Sequence, residues 1–196
     1  AGVAYALSES VGPSGYAEGG WSCDGGSLEG SDIVLAVGED VTCTITNDDQ
    51  PGTLHVVKVL INDNGGSASN DDFSFQIDDD EPIQFESDGA NDVSVPAGSH
   101  TVTEIDPDGY VRTYDNCTDI EVANGGEATC TITNDDTPAV LTIVKNTELA
   151  DGTFSFDITG GNDLSTSTEV TTSSNTGSVD VGLDAGTYSI SEIVPD

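Results

Sequence analysis

A chain of 196 residues with 37 Asp plus Glu against two lysines and one arginine carries a formal net charge of −34, and cannot present the basic surface that nucleic acid or anionic lipid requires. Hydrophobic content of 35%, 23 glycines and short alternating apolar runs without a 3.6-residue period predict strands joined by tight turns, an all-β fold in which helix is minor. No apolar run approaches the ~20 residues that span a bilayer, so no membrane insertion is expected in this segment, and self-repulsion of this size points to salt- or calcium-rich surroundings.

In chain order, the first landmark is Tyr5-Ala6-Leu7-Ser8-Glu9, followed by a Gly15-Tyr16 turn, Cys23, and the string Cys43-Thr44-Ile45-Thr46-Asn47-Asp48-Asp49. Next come an apolar approach to Lys58 (Leu54-His55-Val56-Val57) and the alternating Phe73-Ser74-Phe75. A second Glu strand, Ala97 to Glu104, leads into Gly109-Tyr110, Cys117 and the identical string Cys130-Thr131-Ile132-Thr133-Asn134-Asp135-Asp136. The series then restarts with Leu141 to Lys145, Phe154-Ser155-Phe156 and Ala185 to Glu192. Ordered this way, the landmarks define a repeat, complete only in residues 50–137; residues 1–49 hold the later part of one unit and 138–196 the earlier part of another. The junctions are short and stiffened by Pro51 and Pro138, so the units are expected to stand end to end as a rod.

Strand parity places residues two apart on one face. Lys58 then shares its face with Leu54, Val56 and Leu60, and Lys145 with Leu141 and Ile143. Glu104 goes with Val102, Glu192 with Tyr188 and Ile190, Glu9 with Tyr5 and Leu7. Asn134 sides with Cys130 and Ile132, Asn47 with Cys43 and Ile45. A Lys, a Glu and an Asn from three strands of each repeat are thus expected to face the core, where burial is tolerable only if they meet one another.

Each cysteine pair, Cys23 with Cys43 and Cys117 with Cys130, is most simply a disulfide inside its own repeat, the usual device of an oxidising, extracellular compartment; free buried thiols are the alternative. A metal reading of the cysteines is poor, because no Cys-x-x-Cys occurs and neither His55 nor His100 stands at zinc-finger spacing.

This trio in this strand order resembles the Cna B-type, SpaA-like domains of bacterial surface adhesins and pilins, with a prealbumin-like β-sandwich fold. Tyr188-Ser189-Ile190-Ser191-Glu192 and Glu104-Ile105-Asp106-Pro107-Asp108-Gly109-Tyr110 are similar to the family's Tyr-x-Leu-x-Glu and Pro-x-Gly-Tyr motif. The resemblance implies that a first-strand lysine condenses with a last-strand asparagine while the glutamate moves protons, releasing ammonia and leaving an isopeptide bond. Lys58, Glu104 and Asn134 would be the complete set; Lys145 with Glu192, and Glu9 with Asn47, are partial sets. A dry site disfavours charge on amine and acid alike, which suits attack by a neutral amine. The cysteine pairs depart from the usual pilin pattern, and an uncondensed Lys–Glu pair capped by Asn is the alternative.

Oxygen-rich turns occur at Asn62 to Gly66, Asn70 to Asp72 and Asp78 to Glu81, without EF-hand spacing, and a solvated turn is the usual outcome. The candidate calcium ligands are instead the junctional Asp48, Asp49, Asp135 and Asp136, where a cation would neutralise charge and stiffen a rod. Asn116-Cys117-Thr118 is a glycosylation sequon by pattern, and Ser165 to Ser178 reads as an exposed polar strand or loop. No nucleophile elbow, phosphate loop or metal-binding His pair is present, so no enzyme acting on an external substrate is expected beyond autocatalytic bond formation. The function expected is that of an extracellular, cell-surface stalk, fibre or pilus-like adhesin, whose partners are neighbouring repeats, copies of itself and surface ligands. The alternatives are a head-to-tail, strand-donated filament subunit and a calcium-dependent ligand-binding adhesion module.

Overall fold

The computed structural model describes residues 2–105, 108–161 and 163–193, and among them there is no α-helix. Residues 1–49 contribute seven short strands, β1 (Ala4–Ala6), β2 (Tyr16–Ala17), β3 (Ser22–Asp24), β4 (Ser27–Glu29), β5 (Asp32–Val34), β6 (Thr42–Thr44) and β7 (Asp48–Asp49). They pair as β1-β5-β4, β2-β7 and β3-β6, and Ile33 is the one fully buried apolar residue among those described in this segment.

The middle of the chain is a two-layered sandwich. Its strands are β8 (Gly52–Ile61), β9 (Ser74–Ile77), β10 (Ile83–Gln84), β11 (Ala90–Val95), β12 (Gly98–His100), β13 (Val102–Ile105), β14 (Tyr110–Asp115), β15 (Ile120–Val122) and β16 (Glu127–Asp136). One layer is ordered β11-β8-β16-β14, the other β10-β9-β13, and β12 pairs with β15. Strict alternation along β8, with Leu54, Val56 and Lys58 buried while His55, Val57 and Val59 face outward, decides which face meets the opposite layer. Leu54, Val56, Phe73, Phe75, Phe85, Val102, Cys130 and Ile132, all nearly without solvent contact, fill the space between the layers. Phe75 and Phe85 pack with ring centroids 4.8 Å apart, and Phe73 meets Tyr110 edge to face at 5.4 Å.

The feature that positions the site is the parallel pairing of β8 with β16, the first and last strands of the sandwich. Parallel neighbours need a long crossover, supplied here by the whole of β9 to β15. Register places Ile132 opposite Lys58 and Asn134 opposite Leu60, so Asn134 lies one same-face step beyond Lys58 on the adjoining strand.

The last segment has β17 (Ala139–Asn146), β18 (Thr153–Gly160), β19 (Leu164–Thr171), β20 (Thr176–Leu183) and β21 (Tyr188–Ile193), paired as β17-β20 and β19-β18-β21. The Ser/Thr-rich stretch becomes β19, a turn and the start of β20, and Ile143, Phe156, Ile158, Val170 and Leu183 form the core.

Candidate functional site

Lys58, Glu104 and Asn134 converge between the two layers of the sandwich, and the side chains of Lys58 and Glu104 have no solvent exposure at all. Lys58 Nζ donates to Glu104 Oε1, and lies 3.9 Å from the Phe73 ring centroid and 5.3 Å from that of Phe85. Burial is the chief influence on Lys58 and pushes its pKa down; the hydrogen bond and charge of Glu104 partly offset this, and the nearby charge of Arg112 adds to the lowering.

Asn134 is wholly buried, yet neither its Oδ1 nor its Nδ2 has a hydrogen-bond partner, and Glu104 Oε2 is equally unsatisfied. A buried amide left unpaired costs roughly 1–3 kcal/mol per group, and native cores avoid it. Unsatisfied atoms on Glu104, which the amine contacts, and on Asn134, one same-face step along the adjoining strand, suit condensation between that amine and the carboxamide.

The partial sets behave differently. Lys145 Nζ donates to both oxygens of Glu192, at 3.0 and 2.9 Å, 4.5 Å from the Phe154 ring centroid, but their side chains remain 23% and 34% exposed. Asn47 Nδ2 donates to Glu9 Oε1 at 2.7 Å, with Asn47 Oδ1 buried and unpartnered. Each pair thus meets, but full burial is found only in the sandwich, where β8 carries β16 on its other edge, whereas among the described residues β17 pairs with β20 alone.

Both expected disulfides are formed, Cys23 to Cys43 and Cys117 to Cys130. The second ties the segment after β14 to β16, four residues before Asn134. The sequon side chain at Asn116 donates to Thr129 O at 2.8 Å.

The four junctional aspartates do not converge. Asp48 and Asp49 are exposed on β7, paired with β2, whereas Asp63, Asp135 and Asp136 bring carboxylate oxygens within 4.8 Å of one another. Asp136 is 5% exposed and accepts backbone N–H groups from Asp63 at 2.8 Å, Asn64 at 3.0 Å and Gly66 at 2.6 Å. Desolvation is the largest single influence and raises its pKa, but these amides together outweigh it and hold the carboxyl below the usual range. Backbone amides thus satisfy part of this carboxylate, and Asp63 joins the junctional Asp135 and Asp136 as the member that spacing did not single out.

Sequence reasoning also missed the aromatic rings over the lysine and the two residues that grip Glu104 from β14. Arg112 Nη1 donates to Glu104 O at 2.8 Å, and Glu104 N donates to Tyr114 Oη at 3.0 Å. The alternation in β14 signals that Arg112 shares a face with Tyr110 and Tyr114, but only the layer packing shows what that face meets. Of the motif from Glu104 to Tyr110, Asp106 and Pro107 lie outside the described residues.

A family model described as a prealbumin-like fold domain, of the SpaA type, matches residues 1–45 and 49–132. Among solved structures, the Bacillus anthracis TIE protein superposes with a TM-score of 0.56 at 21% identity, covering 87% of this chain and 34% of that one, a likeness of fold. The chain spans about a third of that protein's length. A search of curated protein sequences returns no match.

Proposed function

Because the chain belongs to the family of prealbumin-like fold domains of the SpaA type, we propose that it is a structural part of an extracellular stalk, fibre or pilus-like adhesin. Its sandwich would be stapled by the Cys117–Cys130 disulfide and by an isopeptide bond between Lys58 and Asn134. The observation that carries this reading is the fully buried, unpartnered Asn134 carboxamide beside the Lys58–Glu104 pair.

The chemistry balances without a cofactor. The neutral Lys58 amine attacks Asn134 Cγ, Glu104 takes the amine proton and returns it to the departing nitrogen, and ammonia leaves as the C–N bond forms. Burial favours the neutral amine that the attack needs. The mechanical benefit follows from β8 and β16 lying side by side in parallel: force entering at Gly52 and leaving at Asp136 shears these two strands, and a covalent bridge between them bears that load.

Intact mass of the purified chain under reducing, denaturing conditions tests this. The expected value is below 20.1 kDa by one ammonia, with a Lys58–Asn134 cross-linked peptide after digestion and no loss in N134A or E104A. An unmodified mass in the parent chain sinks the covalent reading and leaves a buried ion pair.

A second reading, a head-to-tail filament of strand-donating subunits, has one observation in its favour. Cys43 to Asp49 repeats Cys130 to Asp136 residue for residue, and among the described residues β17 pairs only with β20, whereas its counterpart β8 carries β16 on its other edge. Against it, β21 already fills the place on β18 that Leu7 to Glu9 of an incoming copy would need. A native-mass ladder that collapses to a single 20.1 kDa species on denaturation favours this reading; a monomer at all concentrations removes it.

A further inference from the structure

We propose that Arg112 and Tyr114 are positioning residues for Lys58–Asn134 cross-linking, gripping the backbone of Glu104 at its N–H and its carbonyl so that its carboxyl stays on the Lys58 amine. This deepens the isopeptide reading and rests on it. Among the described residues β13 is an edge strand, paired only with β9, and an edge strand presents backbone groups that no ladder satisfies. At Glu104 the two groups are taken by side chains of β14, an edge strand of the facing layer. Arg112 Nη1 donates to the carbonyl at 2.8 Å, and Tyr114 Oη accepts from the N–H at 3.0 Å. The guanidinium also stacks 5.2 Å from the Tyr114 ring centroid, coupling the two grips.

The same strand is anchored to the nucleophile's partner, since Arg112 stands opposite Asn134 in the β14–β16 ladder. One arginine therefore touches the strand of the proton shuttle and sits in register with the electrophile. A backbone held at two points leaves the Glu104 side chain few ways to turn aside, and misplacement of a proton-transferring group by about 1 Å can slow a reaction by roughly a hundredfold.

Arg112 has an electrostatic effect as well. Among the described residues, the ionisable groups acting on Lys58 are Glu104 from β13 and Arg112 from β14. The remaining walls are the Phe73 and Phe85 rings, beside β9 and β10, and the Asn134 amide of β16. The guanidinium opposes a charged ammonium while Glu104 favours it, so Arg112 enlarges the fraction of Lys58 present as free amine. In the first repeat the positions that match Arg112 and Tyr114, counted from Gly15-Tyr16, are Glu18 and Gly20, which can supply neither grip.

The test is a time course of ammonia loss in newly translated full chain, followed by intact mass across a range of pH. R112Q is expected to cross-link more slowly at neutral pH, by about tenfold or more, because a loosened Glu104 is misplaced for proton transfer, with its pH–rate profile moved to higher pH because the guanidinium no longer opposes the ammonium. R112K retains the charge and is expected to keep the parent profile at reduced rate. Y114F, which preserves the ring and removes the acceptor, is expected to slow the reaction without moving the profile. Parent-like rates and profiles in folded R112Q and Y114F overturn the proposal, as does a lowered melting temperature with unchanged kinetics. Absence of ammonia loss in the parent chain overturns both this proposal and the isopeptide reading, and the parent mass alone distinguishes that outcome.

Discussion

His100 is 7% exposed, and its two ring nitrogens both face acceptors: Nδ1 lies 2.5 Å from Asp78 Oδ2, and Nε2 lies 2.8 Å from Pro96 O. Only the imidazolium donates from both nitrogens, so folding favours the charged ring. The Asp78 hydrogen bond first, then that to Pro96, raises its pKa above the ordinary value. A raised folded-state pKa gives stability that is complete below the unfolded value of about 6.5 and is lost as pH climbs through the folded one. Urea midpoints measured from mildly acidic to alkaline pH should therefore fall over that window, and H100Q should flatten the fall; a slope unchanged by H100Q assigns it elsewhere, for example to the exposed His55–Asp92 pair. A second residue-scale expectation concerns Phe75, which is fully buried against Phe85. Phe75→Ala should lose about 3–5 kcal/mol in denaturant unfolding, with a smaller loss meaning that the layers collapse onto the space.

Between elements, two fastenings hold the sandwich to its ends. The Cys117–Cys130 bridge closes a loop of 13 residues in sequence separation and lies among the fully buried core residues. Replacing both cysteines with serine should lower stability by about 3 kcal/mol, read from chemical unfolding; the parent under reductant should match it once the bridge is open. The other fastening is the Asn62 to Gly66 loop, whose amides hold Asp136 at the end of β16 while Asn64 O accepts from Ala185 N at 2.7 Å, beyond the junction. An added Cβ at Gly66 would stand 2.6 Å from Tyr110 Oη and 2.7 Å from Asp136 Oδ2, so these side-chain ends, and the hydrogen bonds they make to Asn62 and to the loop amides, would have to shift. Gly66→Ala should cost roughly 1–3 kcal/mol and shift the amide resonances of residues 62–66 and 185 together; a change confined to position 66 means that the loop does not couple the two segments. Because the folded Asp136 pKa is lowered, its contribution is present above the unfolded Asp value of about 3.9 and is lost as pH falls through the folded one.

For the whole molecule, a net charge of −34 dispersed over a chain with three basic side chains makes self-repulsion the dominant long-range effect. The melting temperature should rise with sodium chloride as the screening length falls from about 30 Å at 0.01 M to about 3 Å at 1 M; a flat response would show that local pairings already neutralise it. Core size differs along the chain, with thirteen buried apolar residues in the sandwich and five in the last segment among the described residues. Hydrogen exchange should be slowest in β8 and β16 and faster in β17 to β21, and the reverse order would place the stability outside the sandwich.

Much of this was legible from the residues alone. Alternation in Leu54 to Lys58 and in Cys130 to Asn134 determined which side chains turn inward, because a two-residue period leaves a strand only one choice once one face is apolar. Repetition of the Cys-Thr-Ile-Thr-Asn-Asp-Asp string pointed to the cysteine pairs, each of which is joined. Tertiary structure alone decided that β8 and β16 run side by side in parallel, which brings Lys58 to Asn134 across the long crossover between them. It also decided that Lys58 and Glu104 are dry while Lys145 and Glu192 stay wet, since burial depends on the β16 strand that flanks β8 and that β17 lacks among the described residues, which no local pattern encodes. The junctional aspartates had the same composition at both ends, yet among the described residues only Asp136 met a loop of amides, because hydrogen-bond partners seventy residues away in sequence are a property of the fold.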